Sequence, residues 1–165
     1  MKTFKIPYQD TQKFSKLVID YLNKEEKIKP FINYFPSLDN FEKQIKEKST
    51  HDINRETLVS VLERQNSIIS LSDISKRNIQ SLKDNQTFTI TTGHQLCLFT
   101  GPLYFFYKII STINLIEQLK NKYPINHFVP VFWMAAEDHD FQEINHINLF
   151  GKKLEWNSKQ SGAVG

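Results

Sequence analysis

One cysteine, Cys97, occurs in 165 residues, so no internal disulfide can close and a reducing compartment is expected. The chain lacks a long apolar run. Its best candidate, residues 103–119, is interrupted by Lys108 and falls short of the roughly 20 residues of a membrane span. The opening MKTFKIPYQDTQ has no apolar signal region, and with no other address visible the cytoplasm is the expected location. An excess of one charge is missing too. The 21 basic and 18 acidic residues are interspersed and leave a net charge of +3, too weak and too mixed for a nucleic-acid footprint. There are no internal repeats, no low-complexity segments, and neither a Walker loop nor a GxGxxG fingerprint. A hydrophobic content of 39% suffices for the core of one ordinary domain.

Before Thr87 the chain is charged and helical in pattern. A first helix is predicted over about 10–27, with Phe14, Leu17, Val18, Tyr21 and Leu22 on one face and Pro30 ending it. Phe31, Tyr34 and Phe35 form an aromatic patch closed by Pro36, expected to pin a linker onto the core. A short helix over 38–48 precedes a longer one from near Asn54 towards Leu82, capped by Asn54 and carrying Leu58, Val61, Leu62, Ile68 and Ile69 at helical spacing. Ser, Asn and Asp between 67 and 75 weaken it, so a break near 71–73 is expected.

From Thr87 the pattern changes. TFTITT, residues 87–92, alternates and is β-branched, as a strand would. Gly93 is expected to permit a sharp exit. Gly101 and Pro102 then start a helix over about 102–121, with Leu103, Phe106, Ile109, Ile110, Ile113, Ile116 and Leu119 as its apolar stripe and Pro124 beyond its end. Residues 128–134, FVPVFWM, are nearly all apolar and read as a parallel partner strand covered on both faces. A βαβ unit places both strand ends on one rim, where open α/β sheets bind ligands. The loops GHQ (93–95) and EDHD (137–140) fall on that rim. Unsatisfied amides at the helix start suit a phosphate or carboxylate near Thr100 and Gly101. A hairpin over 144–156, turning at Gly151-Lys152, is expected to follow.

The EDHD loop crowds three carboxylates and an imidazole, which repel unless a cation, donor or proton offsets them. Three readings stand: a metal site of Asp138, His139 and Asp140 with His146 as a further ligand; a general base or amine-holding site; or solvated helix caps. Cys97 is either a small packed side chain or a nucleophile served by His94 three residues away. His51 is expected exposed and His127 structural at the opposite edge. Tyr104 is placed to reach a ligand, and Lys108 is expected to face solvent. Trp133 either lines a pocket or is buried in the core.

TTGHQLCLFTGPLYFFYKIISTINL followed by VPVFWMAAEDHDFQEINHINLF resembles the bacillithiol biosynthesis cysteine-adding enzyme, a cysteine ligase family, closely over 88–165 and in layout before that. The resemblance implies a Rossmann-like α/β core related in architecture to class I aminoacyl-tRNA synthetases, with a long coiled coil in full-length members. It implies joining of cysteine to glucosaminyl-malate, with ATP activating the cysteine carboxyl and Mg²⁺ as a candidate companion. Residues Thr92, Gly93, His94, Gln95, Thr100 and Gly101 would bind nucleotide or substrate, Glu137, Asp138 and Asp140 would form the facing wall, and His94, Asp138 and His139 would be catalytic. The partners implied are small molecules, with no nucleic acid and no membrane, and an unfinished sheet edge favours a homodimer. Because the family's enzymes are several times longer, the chain is read as an N-terminal portion, inactive alone: 1–85 a helical segment packing on the core, 86–165 the first βαβ part of a truncated domain. The rival functions are a metal-dependent hydrolase built on EDHD and a non-catalytic interaction segment.

Overall fold

The computed structural model describes residues 2–159 and 161–164. The chain divides between Thr50 and His51 into two compact units, so that residues 51–85 cluster with the strands.

In the first unit, left-handed Gln12 (φ 53°) and Lys24 (φ 57°) break the predicted helix over 10–27 into three pieces: a 3₁₀ turn Tyr8–Thr11, helix α1 (Lys16–Leu22) and a 3₁₀ stretch Glu26–Phe31. Ser15 caps α1, its hydroxyl accepting from Val18 N at 3.4 Å. Asp20 is buried and takes both Lys16 (3.1 Å) and Lys27 (2.8 Å). Helix α2 covers Asn40–Lys48. The aromatic patch is only partly pinned: Phe35 meets Tyr21 at 6.1 Å and Lys43 lies over the Tyr34 ring at 5.8 Å, but Phe31 is exposed.

The second unit begins with α3 (Arg55–Gln65) and α4 (Asp73–Ser81). Asn54 caps α3 as predicted, accepting from Thr57 N at 2.9 Å, and Ser72 caps α4. The break between them covers 66–72, wider than expected: the Asn66 and Ser67 side chains donate to the Leu62 and Arg64 carbonyls at the end of α3, and α4 starts only at the Ser72 cap. Ile68 and Ile69 therefore lie exposed. Strands β1 (Thr87–His94) and β2 (His127–Met134) pair in parallel, from Thr87 opposite His127 to His94 opposite Met134. Helix α5 (Leu103–Lys122) connects them.

Alternation along β2 assigns its faces. Val129 and Val131 pack with Val59, Leu62, Ile79 and Leu82 from the α3–α4 side, and Phe132 meets Phe105 of α5 at 5.4 Å. This places α3 in the same hydrophobic cluster as the sheet, which is why the unit starts at His51. Two strands are narrower than the apolar stripe of α5. Thr112, Ile116 and Leu119 are buried, whereas Leu103, Phe106, Ile110 and Ile113 stay exposed.

After β2 come a short helix α6 (Phe141–Ile144) and the expected hairpin, β3 (His146–Leu149) antiparallel to β4 (Lys152–Glu155). Its two-residue turn, Phe150 (φ 49°) and Gly151 (φ 74°), has the paired positive φ of a type I′ connection.

Candidate active site at the carboxyl edge of the parallel strands

Gly93 does not turn the chain. It stays in β1 opposite Trp133, and a β-carbon there would lie 2.6 Å from the Trp133 carbonyl oxygen and 2.9 Å from its Cβ. The glycine thus permits close approach of the two strand ends, and β1 runs on to His94. Gly101 is the conformational glycine (φ 66°), with Cys97 Cβ only 2.5 Å from where its own would be, and Pro102 rather than Gly101 is the N-cap of α5.

His94 ends the strand 8% exposed. Its Nδ1 is 2.7 Å from the Gln95 carbonyl and its Nε2 is hydrogen-bonded to the Tyr104 hydroxyl. That hydroxyl donates to Glu143 Oε1 at 2.5 Å, which lies 3.3 Å from His94 Nε2. Gln95, 2% exposed, donates from Nε2 to Glu143 Oε2 at 2.7 Å and to the Asp140 carbonyl at 3.3 Å. A carbonyl can only accept, so Nδ1 carries the ring hydrogen. In the neutral ring Nε2 then accepts, and the Tyr104 hydroxyl has one hydrogen between two acceptors.

The hydrogen bonds from Tyr104 and Gln95 hold the Glu143 carboxyl below the usual carboxylate range. Burial, and then Glu143, push the Tyr104 phenol up to about 12, so Tyr104 keeps its hydrogen and passes polarity along.

Glu143 is the residue that the sequence reading missed. The available signal was the Asp140-x-x-Glu143 spacing of a capping box. Asp140 Oδ1 does cap α6, accepting from Glu143 N at 3.0 Å, but the Glu143 carboxylate reaches across to Gln95 and Tyr104 instead of back to the cap.

The remaining predicted residues scatter. Asp138 Oδ1 accepts from Asp140 N at 3.0 Å, and the Asp138 carbonyl accepts from Val164 N at 2.8 Å. Glu137 takes the Trp133 indole N–H at 3.4 Å. His139 is exposed, and His146 Nδ1 stays by its own Gln142 carbonyl at 3.1 Å. Among the described residues no three His, Cys, Asp or Glu side chains converge to hold a metal, and Asp138, His139 and Asp140 stand apart. The reason is that successive loop residues diverge once each satisfies its own backbone. Thr100 is exposed with φ 71°, its hydroxyl on the Phe99 carbonyl. Cys97 lies 3.5 Å from His94 Nδ1, yet that nitrogen already serves Gln95, and burial raises the thiol pKa, with Glu143 adding to the rise. The geometry favours the packed reading.

Two further residues bear on the site. Lys108 is exposed, as expected, and its Nζ also donates to the Gly93 carbonyl at 3.2 Å and lies 5.2 Å from the Tyr104 ring centre. Trp133 is 60% exposed, not core. With Thr92, Gln95, Asp138 and Glu143 these two line an open cleft of ≈ 500 Å³ beyond the strand ends. A second cleft, of ≈ 540 Å³, lies at Gly101, Leu103 and His146, and Tyr104 and Glu143 border both. As expected, His51 is exposed and His127 begins β2 at the opposite edge.

Among the described residues no helix is long and apolar enough to cross a membrane. Residues 1–165 match the model of a family described as bacillithiol biosynthesis BshC, N-terminal Rossmann-like domain. Proteins named "Putative cysteine ligase BshC" are similar throughout the chain: one from Flavobacterium johnsoniae is 56% identical and one from Flavobacterium psychrophilum 54% identical, each alignment covering 100% of this chain and 32% of the relative. A protein of the same name from Bacillus cereus is 35% identical over 79% of this chain and 24% of its own length. The chain spans about a third of the length of its Flavobacterium relatives. With its parallel strand pair joined by α5, the chain belongs to the BshC family of bacillithiol biosynthesis, as that family's N-terminal Rossmann-like domain.

Proposed function

We propose that this chain supplies the carboxyl-edge wall of a cysteine ligase active site that joins cysteine to the amino sugar of glucosaminyl-malate, with ATP activating the cysteine carboxyl. In that reaction a phosphoanhydride breaks, the carboxyl oxygen leaves with phosphate, and an amide bond forms as the attacking nitrogen gives up a proton. The observation that carries the reading is the His94–Tyr104–Glu143–Gln95 network, which ties the end of β1 to α5 and α6 beside an open cleft. It is a constellation of mutually hydrogen-bonded polar groups beside a cleft in which such a reaction would run. Phosphates would lie towards His94 and the start of α5, whose first amides have no side-chain cap. A divalent ion would arrive with the phosphates, since the described residues form no cage for it. His94, Asp138 and His139 remain the proposed catalytic set, with Glu143 and Tyr104 added as positioning residues.

The test is calorimetric titration of this chain, and of a protein of the relatives' full length carrying it, with ATP, ADP and cysteine, each with and without Mg²⁺. Cysteine and ATP binding by either, lost on changing His94 and Gln95 to Ala, is the expected result. No binding of cysteine by either protein overturns the reading.

A further inference from the structure

The cleft beyond the strand ends is dipolar. On one flank stands Lys108, whose ammonium uses one donor on the Gly93 carbonyl at 3.2 Å and is steadied over the Tyr104 ring at 5.2 Å. Beyond Tyr104 stand the Glu143 carboxylate and Gln95, hydrogen-bonded to each other, and Asp138 lines the same cleft. The Gln95 amide cannot turn round: its Nε2 is committed to Glu143 Oε2 at 2.7 Å, and an oxygen in that place would meet a carboxylate. Its Oε1 is left buried without a donor, and such an atom calls for a ligand hydrogen. Tyr104 separates the two flanks, touching Lys108 with its ring and Glu143 with its hydroxyl.

From this arrangement we infer that the cleft binds a free α-amino acid as its zwitterion, the carboxylate on Lys108 and the ammonium on Asp138, Glu143 and Gln95 Oε1. A zwitterion carries opposite charges two bonds apart, and a site for it must set a cation and acceptors face to face at short range. Lys108 thereby becomes a substrate-binding residue, and Gln95 serves the amino acid rather than the nucleotide. The inference rests on the ligase reading above and names the place where its cysteine lies.

The experiment uses whichever protein binds cysteine in the titration described above, and compares cysteine with cysteamine, which lacks the carboxylate, and 3-mercaptopropionate, which lacks the amine. Lys108→Met keeps the stem and removes the charge. It should weaken cysteine binding about tenfold, the size of one charge-assisted hydrogen bond, and leave cysteamine unchanged. Asp138→Asn should weaken cysteine and cysteamine together and spare 3-mercaptopropionate. Thermal unfolding of each variant verifies the fold. If Lys108→Met weakens cysteine and cysteamine equally, or neither, the zwitterion site is overturned and the ligase reading stands. If the wild-type proteins bind no cysteine, the ligase reading falls and this inference with it.

Discussion

Tyr104→Phe isolates the centre of the network. The ring would keep its contacts with His94, at 5.1 Å between ring centres, and with Lys108, at 5.2 Å, so packing is preserved and only the hydroxyl goes. What is lost is a hydrogen bond to a carboxylate and the bridge to a buried imidazole. A charge-assisted hydrogen bond in seclusion contributes about 1.5–3 kcal/mol. The Glu143 side chain is 39% exposed, so water re-solvates much of the carboxylate and the expected loss falls to about 1 kcal/mol. The pH dependence carries the sharper test. Tyr104 is the foremost cause lowering the Glu143 pKa below 4.5. A carboxylate with a depressed folded pKa stabilises above its unfolded pKa, and that stability is lost as pH falls through the folded value. The wild type should therefore exceed Tyr104→Phe in urea midpoint at pH 7, and the gap should narrow as pH drops below about 4.5. Equal midpoints at pH 7, or a gap that is constant down to pH 3, would refute the network as drawn.

At the alkaline end, the raised Tyr104 phenol, about 12 against an ordinary 10, contributes stability present below pH 10 and lost as pH rises towards 12. Ultraviolet titration should show one late-ionising tyrosine that disappears in Tyr104→Phe. Gly93→Ala drives a methyl to within 2.6 Å of the Trp133 carbonyl, a backbone atom, and should destabilise by about 1–3 kcal/mol in chemical denaturation; a neutral result would mean that the strand ends separate freely. Leu119→Ala removes a fully buried α5 side chain and should cost about 2–5 kcal/mol, whereas Ile110→Ala on the exposed flank of the same helix should cost far less. Cys97, with its pKa raised by burial and Glu143, should react with iodoacetamide at pH 8 more slowly than free cysteine. Alkylation at or above the free rate would revive the nucleophile reading.

The elements of residues 87–155 were legible because their signals are local. Alternation in 87–92, the apolar run in 128–134 and the stripe beginning at Leu103 specify backbone period without reference to distant residues, and the parallel pair, α5 and the hairpin follow. The first helix was overdrawn because the apolar period continues through Gln12 and Lys24, whose left-handed backbone leaves no trace in hydrophobic pattern. The motifs around residues 91–102 and 137–140 carried the resemblance to the family, and the strand–helix–strand pattern pointed to the strand-end rim. The site itself was decided in three dimensions. Tyr104 and Glu143 are 39 residues apart, and Gln95 and Glu143 are 48; their meeting depends on how α5 and α6 pack against the ends of two strands. Crowding in the EDHD loop left a metal site, a catalytic site and solvated caps as three readings; neighbouring side chains on a loop point apart, and among the described residues no three ligand side chains converge. An unremarked glutamate three residues beyond Asp140 took the central place. Sequence periodicity determined the rim, and tertiary packing determined which charges face one another across it.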